Sequence, residues 1–97
     1  MRLTASQVQA IKLTEEAHTG PAAQVRLFGS RLDDAAKGGD VDLHLVMAHP
    51  VDVLTIAQLA SRLERALNGC KVDVCVWADG QPPLPVDRVA LANGVPL

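Results

Sequence analysis

Three runs of apolar residues along the chain have the spacing of β-strands. They span residues 24–28, 41–46 and 71–77. In the second and third runs apolar residues occupy every other position, so one face of each strand is apolar and the other carries polar side chains. Residues that favour turns bound each run, and the pattern therefore predicts a small sheet of short strands.

Apolar residues with helical spacing lie before, between and after these runs. Ser6 and Gln9 have the spacing of a capping box, so a first helix is expected to begin near Ser6 and to end near Gly20. Asp52 is placed to cap a second helix, which Gly69 would end. Two more segments have helical character, a short one at residues 31–37 and a last one near residues 86–92.

The order of these elements, α-β-(α)-β-α-β-α, predicts a fold of the α/β (α+β) class. Helices would pack on a small mixed sheet of three or slightly more strands. A chain of 97 residues is long enough for one compact core and too short for two. A single domain is therefore expected over residues 1–97.

Composition limits the range of functions. The chain is 48% hydrophobic and 21% charged, which is typical of a globular protein, and its net charge of -2 gives no general attraction for nucleic acid. Direct nucleic-acid binding by this chain alone is therefore not expected. No apolar stretch is long enough for a signal peptide or a membrane span, so we expect a cytoplasmic location. Cys70 and Cys75 match no common metal or redox spacing, and we expect reduced structural thiols.

Two aspartates stand at the start of the second predicted strand. Asp40 and Asp42 are two residues apart, so a strand would present both carboxylates on one face. Like charges this close favour either a bound cation or good screening by water. Mg²⁺ suits such a pair because it binds one or two protein carboxylates and completes its shell with water and phosphate oxygens. A solvated strand start is the alternative interpretation.

A third aspartate and a glycine-serine turn extend this constellation. Asp73 lies inside an apolar strand, where an unpaired carboxylate is unfavourable, and a metal shared with Asp40 and Asp42 would account for it. Gly29 lets a phosphate approach the backbone, and Ser30 offers a hydroxyl near free N–H groups of a helix start. A solvent-facing acid and a simple helix cap are the alternatives for Asp73 and Ser30.

These residues constrain the topology of the sheet. Gly29 ends the first strand and Asp40 begins the second, so the two strands must be antiparallel for these residues to meet. Asp73 lies near the start of the third strand, and it meets Asp42 only if the second and third strands are parallel. The sequence therefore predicts a mixed sheet in which the second helix is the crossover.

The same residues resemble a known protein family. The segments concerned are Leu27-Phe28-Gly29-Ser30-Arg31, Gly39-Asp40-Val41-Asp42-Leu43 and Val72-Asp73-Val74. A Gly-Ser motif, a D-x-D strand and a third acid on the next strand, in this order, are similar to the minimal nucleotidyltransferases of the DNA polymerase β-like superfamily. The resemblance covers nearly the whole chain in element order and length.

The resemblance implies a Mg²⁺-dependent enzyme that transfers a nucleoside monophosphate from a triphosphate, AMP from ATP in the first instance, to a hydroxyl of a protein or nucleic-acid acceptor. It implies metal ligands at Asp40 and Asp42, a third ligand or a base at Asp73, and phosphate contacts at Gly29 and Ser30. Arg31 could contact phosphate as well, or only solvent. A two-metal site is compatible with these ligands. Relatives usually carry an Arg-Gly-rich linker where this chain has Asp33 and Asp34, which add negative charge near the phosphates.

Small proteins of this family are often similar to the antitoxin of a toxin–antitoxin pair, whose partner is a helical HEPN ribonuclease. Some of them add adenylate to that partner. The resemblance therefore implies a HEPN-type partner for this chain. An antitoxin-like subunit that neutralises its partner by contact alone is the alternative, because the 97 residues contain no evident second domain to recognise an acceptor.

Two further residues share the strand face that carries the acids. His44 could orient a metal ligand, or it could be hydrogen-bonded near the core. Trp77 could stack on a base, or it could belong to the core or to a partner interface. The sequence leaves both pairs of roles open.

Overall fold

A computed structural model describes residues 3–22, 24–29 and 40–97. Its elements are α1 (Ala5–Thr19), β1 (Gln24–Phe28), β2 (Val41–Met47), α2 (Val53–Ala66), β3 (Val72–Ala78), α3 (Pro85–Asn93) and β4 (Val95–Pro96). This order confirms the predicted succession of helices and strands in the described part. The short helix expected at residues 31–37, with Asp33 and Asp34, lies outside the described residues. β4 was not predicted from the sequence.

The strands form one mixed sheet with the order β3-β2-β1-β4. β1 pairs with β2 in antiparallel orientation, and β3 pairs with β2 in parallel orientation through the crossover helix α2. Both orientations confirm the predictions. The added strand β4 pairs antiparallel with β1 at the other edge.

The two faces of the sheet have different environments. The core lies on one face, where strand residues pack against α1 and α2, and it comprises Ile11, Leu27, Val41, Leu43, Leu45, Met47, Leu59, Leu63, Leu67 and Val72. The alternate strand positions point to the opposite face, which carries Asp42, His44 and Asp73 and which we call the acidic face. α3 lies on that side, joined to β2 by a side-chain hydrogen bond. In the described part no helix has the length and apolarity that a membrane span requires.

The helix ends show two differences from the prediction. The capping box of α1 is formed by Thr4 and Gln7 instead of Ser6 and Gln9. Thr4 and Gln7 have the same spacing as the predicted pair, and a cap at Thr4 lets the helix begin earlier, at Ala5. Asp52 caps α2 as predicted, accepting the N–H of Thr55 at 3.0 Å. Gly69 was expected to end α2 directly, but the helix ends at Ala66, and Asn68 already has a positive φ of 58°.

Glu15 is a buried carboxylate on α1, with 2% of its surface exposed. Burial raises the pKa of Glu15 above its usual value of 4.5, and a hydrogen bond from Thr19 Oγ1 partly offsets this effect. A raised pKa means that the folded state favours the protonated acid. The resulting stabilisation is fully present below the unfolded-state pKa and is lost as the pH rises through the folded-state pKa.

We therefore expect Glu15→Gln to stabilise the protein at neutral pH. Glutamine can still accept the Thr19 hydrogen bond and carries no charge, so the free energy of unfolding should rise by about 1 kcal/mol and the melting temperature by about 4 °C or more. The advantage should disappear below about pH 4, where Glu15 itself is neutral. Melting temperatures measured from below about pH 4 to neutral pH test this prediction, with Glu16→Gln, at an exposed residue, as the control. A difference in melting temperature between Glu15→Gln and the unsubstituted protein that does not change with pH would contradict the raised pKa of Glu15.

Candidate functional site

Asp42 and Asp73 lie side by side on the acidic face. The parallel register of β2 and β3 pairs Asp42 directly with Asp73, as the spacing predicted. Asp42 is half-buried and Asp73 is exposed. Their carboxyl groups are close enough for a hydrogen bond between them. Two strands from distant parts of the sequence thus bring a pair of acids to one point on the surface.

The surroundings of Asp42 disfavour its ionised form. Burial raises the pKa of Asp42 above the usual value of 3.8, and the negative charges of Asp73 and then Asp40 raise it further. The hydrogen bond with Asp73 acts in the same direction, because only the protonated form of Asp42 can donate it. A divalent cation at this position would neutralise the accumulated negative charge, which is the chemistry expected of a Mg²⁺ site.

Asp40 stands beside this pair, just before β2 begins. It is half-buried, and its Oδ2 atom lies 3.8 Å from Nζ of Lys71 in an exposed ion pair that the sequence analysis did not anticipate. Within residues 3–22, 24–29 and 40–97, no group of three or more His, Cys, Asp and Glu side chains is arranged to hold a metal ion. The metal site with Asp40, Asp42 and Asp73 as ligands therefore stays a prediction, for which the structure provides one carboxyl pair in contact and a third acid nearby.

Gly29 follows β1 and lies against the carboxyl group of Asp42. Phe28 pairs with Asp42 in the antiparallel ladder, so the next residue along the chain adjoins the acid. A Cβ atom on Gly29 would overlap Oδ2 of Asp42, and the φ angle of Gly29 is 81°, a value that other residues rarely adopt. Both the space and the backbone conformation favour glycine here. Ser30 and Arg31, the rest of the predicted phosphate-binding motif, lie outside the described residues.

We expect Gly29→Ala to destabilise the protein more than Gly80→Ala does. The two glycines have positive φ angles of 81° and 88°, so both substitutions introduce backbone strain of about 1 kcal/mol or more. Open space surrounds the Cβ position of Gly80, whereas that of Gly29 meets the Asp42 carboxyl group. The additional loss at Gly29 should be at least about 1 kcal/mol in chemical denaturation. Equal losses of stability in the two variants would show that the Asp42 carboxyl group moves aside at no cost.

His44 and Asp87 form a buried pair between β2 and α3. They are 0% and 3% exposed, and Nε2 of His44 donates a hydrogen bond to Oδ1 of Asp87 at 2.8 Å. The other oxygen of Asp87 accepts the backbone N–H of Leu84 at 2.7 Å, at the start of α3. One carboxyl group thus joins the N-terminal end of α3 to the acidic face.

Of the two roles considered for His44, hydrogen bonding near the core is the one that the structure shows. No role for Asp87 was predicted from the sequence. Asp87 follows Pro85 by two residues, and this third helical position is one where an acid often accepts the N–H of the cap residue. That signal could have predicted the contact with Leu84, but not the contact with His44.

Cys75 and Trp77 continue the acidic face of β3 beyond Asp73. Both are half-buried, and Nε1 of Trp77 donates a hydrogen bond to the carbonyl oxygen of Gln81 at 2.8 Å. Burial, followed by the nearby carboxylates, raises the pKa of Cys75 above its usual value of 9.0 and keeps the thiol protonated. Neither Cys75 nor Cys70 takes part in a disulfide.

A comparison with solved structures shows the class of fold to which this sheet belongs. A candidate nucleotidyltransferase of Sulfolobus solfataricus superposes with a TM-score of 0.51 and 26% sequence identity, covering 94% of this chain and 81% of that one. The mixed sheet, with paired acids on neighbouring parallel strands, is thus that of a nucleotidyltransferase fold.

Two other structures make the likeness more particular. The MntA–HepT toxin–antitoxin complex, in a variant with two aspartate-to-glutamate substitutions two positions apart, gives a TM-score of 0.75. The MNT antitoxin bound to a tri-AMPylated HEPN toxin from Shewanella oneidensis gives 0.69. Each is 18% identical to this chain and matches 93% of it and 70% of the other chain. The chain therefore shares its fold with the MNT antitoxins. No protein-family model and no curated protein sequence matches it significantly.

Proposed function

We propose that this chain transfers AMP from ATP to a hydroxyl group of a protein partner, with Mg²⁺ bound at the acidic face. The observation that carries the proposal is the contact of Gly29, Asp42 and Asp73 at one point of a nucleotidyltransferase fold. Carboxylates on rigid strands offer Mg²⁺ ligands, and the absence of a side chain at Gly29 lets the backbone lie against the Asp42 carboxyl group.

The chemistry that we propose is a displacement at the α-phosphorus of ATP. The acceptor oxygen forms a bond to phosphorus, the bond to the bridging oxygen breaks, and pyrophosphate leaves. Asp40, Asp42 and Asp73 would hold Mg²⁺, which when bound neutralises phosphate charge. The proton of the acceptor hydroxyl would pass to Asp73 or, if Asp73 is a metal ligand, to solvent water. Ser30 and Arg31 are the predicted phosphate contacts next to Gly29.

The partner that we propose is a helical HEPN-type toxin, which makes this chain an antitoxin. Both toxin–antitoxin structures with this fold support the proposal, and in one of them the HEPN toxin carries three AMP groups. The chain also has apolar side chains available for contact. Those on and around α3 and β4 are Leu84, Val86, Val89, Leu91 and Val95, all of them exposed.

The test uses the full chain and a HEPN-type protein from its source genome as the candidate partner. The two proteins are incubated with Mg²⁺ and ATP that is labelled either at the α-phosphate or at the γ-phosphate. Transfer of AMP predicts that the partner acquires the α-label and not the γ-label, and that EDTA prevents the reaction. Incorporation of the γ-label would indicate phosphoryl transfer instead, and absence of both labels would refute the proposed activity.

The second candidate function is neutralisation of the partner by contact without catalysis. The exposed apolar residues around α3 favour it, because they can form an interface without any use of the acids. Co-expression of the toxin with the double variant Asp40→Asn, Asp42→Asn separates the two functions. Full neutralisation by this variant would favour contact, whereas a toxic phenotype with an intact complex would favour catalysis.

A further inference from the structure

β3 is an edge strand of the sheet. Among the described residues it pairs with β2 on one side only. At one end of the pairing, Val41 donates its N–H to the carbonyl oxygen of Lys71 at 2.9 Å. At the other end, Asp79 donates its N–H to Met47 at 2.8 Å. This ladder directs the backbone groups of odd-numbered β3 residues to β2, so those of the even-numbered residues point away from the sheet.

β3 lacks the features that usually protect the outward backbone groups of an edge strand. Natural edge strands are typically short, bulged, or interrupted by proline and lysine. The opposite edge of this sheet follows the rule, since β4 has two residues and includes Pro96. β3 instead has seven residues with neither proline nor lysine, and Asp73 is its one charged residue. The β3 edge is therefore suited to pairing with another strand.

We propose that β3 pairs with β3 of a second copy of this chain in an antiparallel dimer whose two-fold axis passes beside Cys75. Cys75 is the middle residue of the strand, so this axis centres the pairing on Val74 and Val76. Ala78 lies outside the pairing, because its carbonyl oxygen already accepts the N–H of Gln81 at 3.1 Å. Val74 then lies opposite Val76 of the second copy, and both have outward N–H and C=O groups to exchange as hydrogen bonds. The two four-stranded sheets become one continuous sheet.

Charged residues flank β3 in a way that complements this register. Lys71 and Asp79 are equally distant in sequence from Cys75, so Lys71 of each copy faces Asp79 of the other. Both side chains are exposed. Within one chain Lys71 contacts Asp40 at 3.8 Å, a long and exposed ion pair that leaves the ammonium group free to contact a second carboxylate. The self-complementary ends thus favour a second copy over an unrelated strand.

The neighbouring registers lack this complementarity. A shift of two residues in one direction would place Asp73 opposite Asp79 of the other copy, and these like charges repel. The opposite shift would place Lys71 opposite Trp77 and would pair no opposite charges. A shift of one residue would place outward backbone groups opposite inward ones. The charge pattern and the backbone therefore select the same register.

The dimer has a consequence for the acidic site. A two-fold axis perpendicular to the joined sheet leaves both acidic faces on the same side. Asp73 of one copy then lies opposite Trp77 of the other, and the two Asp73 residues are about 14 Å apart, given a rise of about 3.3 Å per residue. Each copy thereby places an aromatic side chain beside the Asp42–Asp73 pair of the other. The dimer does not depend on the proposed function.

Light scattering coupled to size-exclusion chromatography tests the proposal on the full chain. We expect a mass twice the 10.3 kDa of the chain at about 100 µM. Lys71→Glu and Asp79→Lys each create two like-charge contacts, so each should raise the Kd of the dimer by about tenfold or more. The double variant should restore the original Kd. Arg62→Glu makes the same charge change as Lys71→Glu on an exposed residue of α2. It is the matched control for that variant and should not alter the Kd.

Mixing the two single variants gives the sharpest comparison. Every flanking contact in a mixed dimer again joins opposite charges, so the mixture should dimerise like the unsubstituted chain although neither variant does so alone. Hydrogen exchange should show protected amides at Val74 and Val76 in the dimer. A chain that stays monomeric at about 100 µM overturns the proposal. A dimer whose Kd is unchanged by these substitutions also overturns it, as does a dimer in which the amides of Val74 and Val76 exchange rapidly.

Discussion

Replacing Asp42 by asparagine should abolish nucleotide transfer while leaving the protein more stable in the absence of divalent metal. Asp42 contacts Asp73 and lies near Asp40, so its carboxylate adds to a concentration of negative charge. Loss of a carboxylate proposed as a Mg²⁺ ligand should lower the rate of AMP transfer by at least about a hundredfold. Loss of the like-charge repulsion should raise the melting temperature in EDTA by a few degrees, about 2–5 °C.

Opposite changes in activity and stability distinguish a functional acid from a structural one. Mg²⁺ should raise the melting temperature of the unsubstituted protein and should have little effect on Asp42→Asn, because binding to the folded state stabilises it by mass action. Asp52→Asn is the control, since asparagine also caps helices and Asp52 lies at an exposed end of α2. Retained transfer by Asp42→Asn, or a lower melting temperature in EDTA, would refute the role assigned to Asp42.

Replacing Asp87 by alanine should produce the largest loss of stability among the substitutions considered. The change would leave Nε2 of His44, which is fully buried, and the N–H of Leu84 without their acceptor. Breaking a buried pair by removal of one partner lowers the free energy of unfolding by about 3–5 kcal/mol. For a chain of this size the melting temperature should fall by more than about 10 °C.

Asp52→Ala is the matched control for Asp87→Ala. Both acids accept a backbone N–H in the first turn of a helix, but Asp52 is exposed and does not share the buried contact with His44, so its replacement should lower the stability much less. Replacing His44 and Asp87 together by leucine should recover part of the loss seen with Asp87→Leu alone, because the buried imidazole is then no longer left without a partner. Chemical denaturation of the four variants measures these differences. Equal losses for Asp52→Ala and Asp87→Ala would contradict a stabilising role of the buried pair.

The strands and their topology could be predicted because the relevant signals are local in the sequence. Alternation of apolar residues located β2 and β3. The need for Gly29 to meet Asp40, and for Asp73 to meet the acids at the start of β2, selected the strand orientations. Side chains in a strand alternate between faces, so the positions of the acids also followed from the register. The ligand set that includes Asp40, and the phosphate contacts of Ser30, stay predictions.

Other features of the fold could not be predicted, because the sequence near them contains either no signal for them or two equivalent signals. His44 and Asp87 are separated by α2 and β3 in the sequence, and their hydrogen bond forms only when α3 packs on the acidic face. β4 has two residues, which is too short for any periodicity. Thr4 and Ser6 offered capping boxes of identical spacing, and only the folded backbone distinguishes between them.

The pairing of Asp42 with Asp73 also affects how reliably the sheet assembles. A one-residue error in the alignment of β3 on β2 would turn Asp73 and Trp77 toward the leucines of α2 and would expose three valines to water. A misaligned intermediate would therefore bury a charge, and this cost would make it too unstable to accumulate. The acids that lower the stability of the native sheet thus also increase the fidelity of its folding.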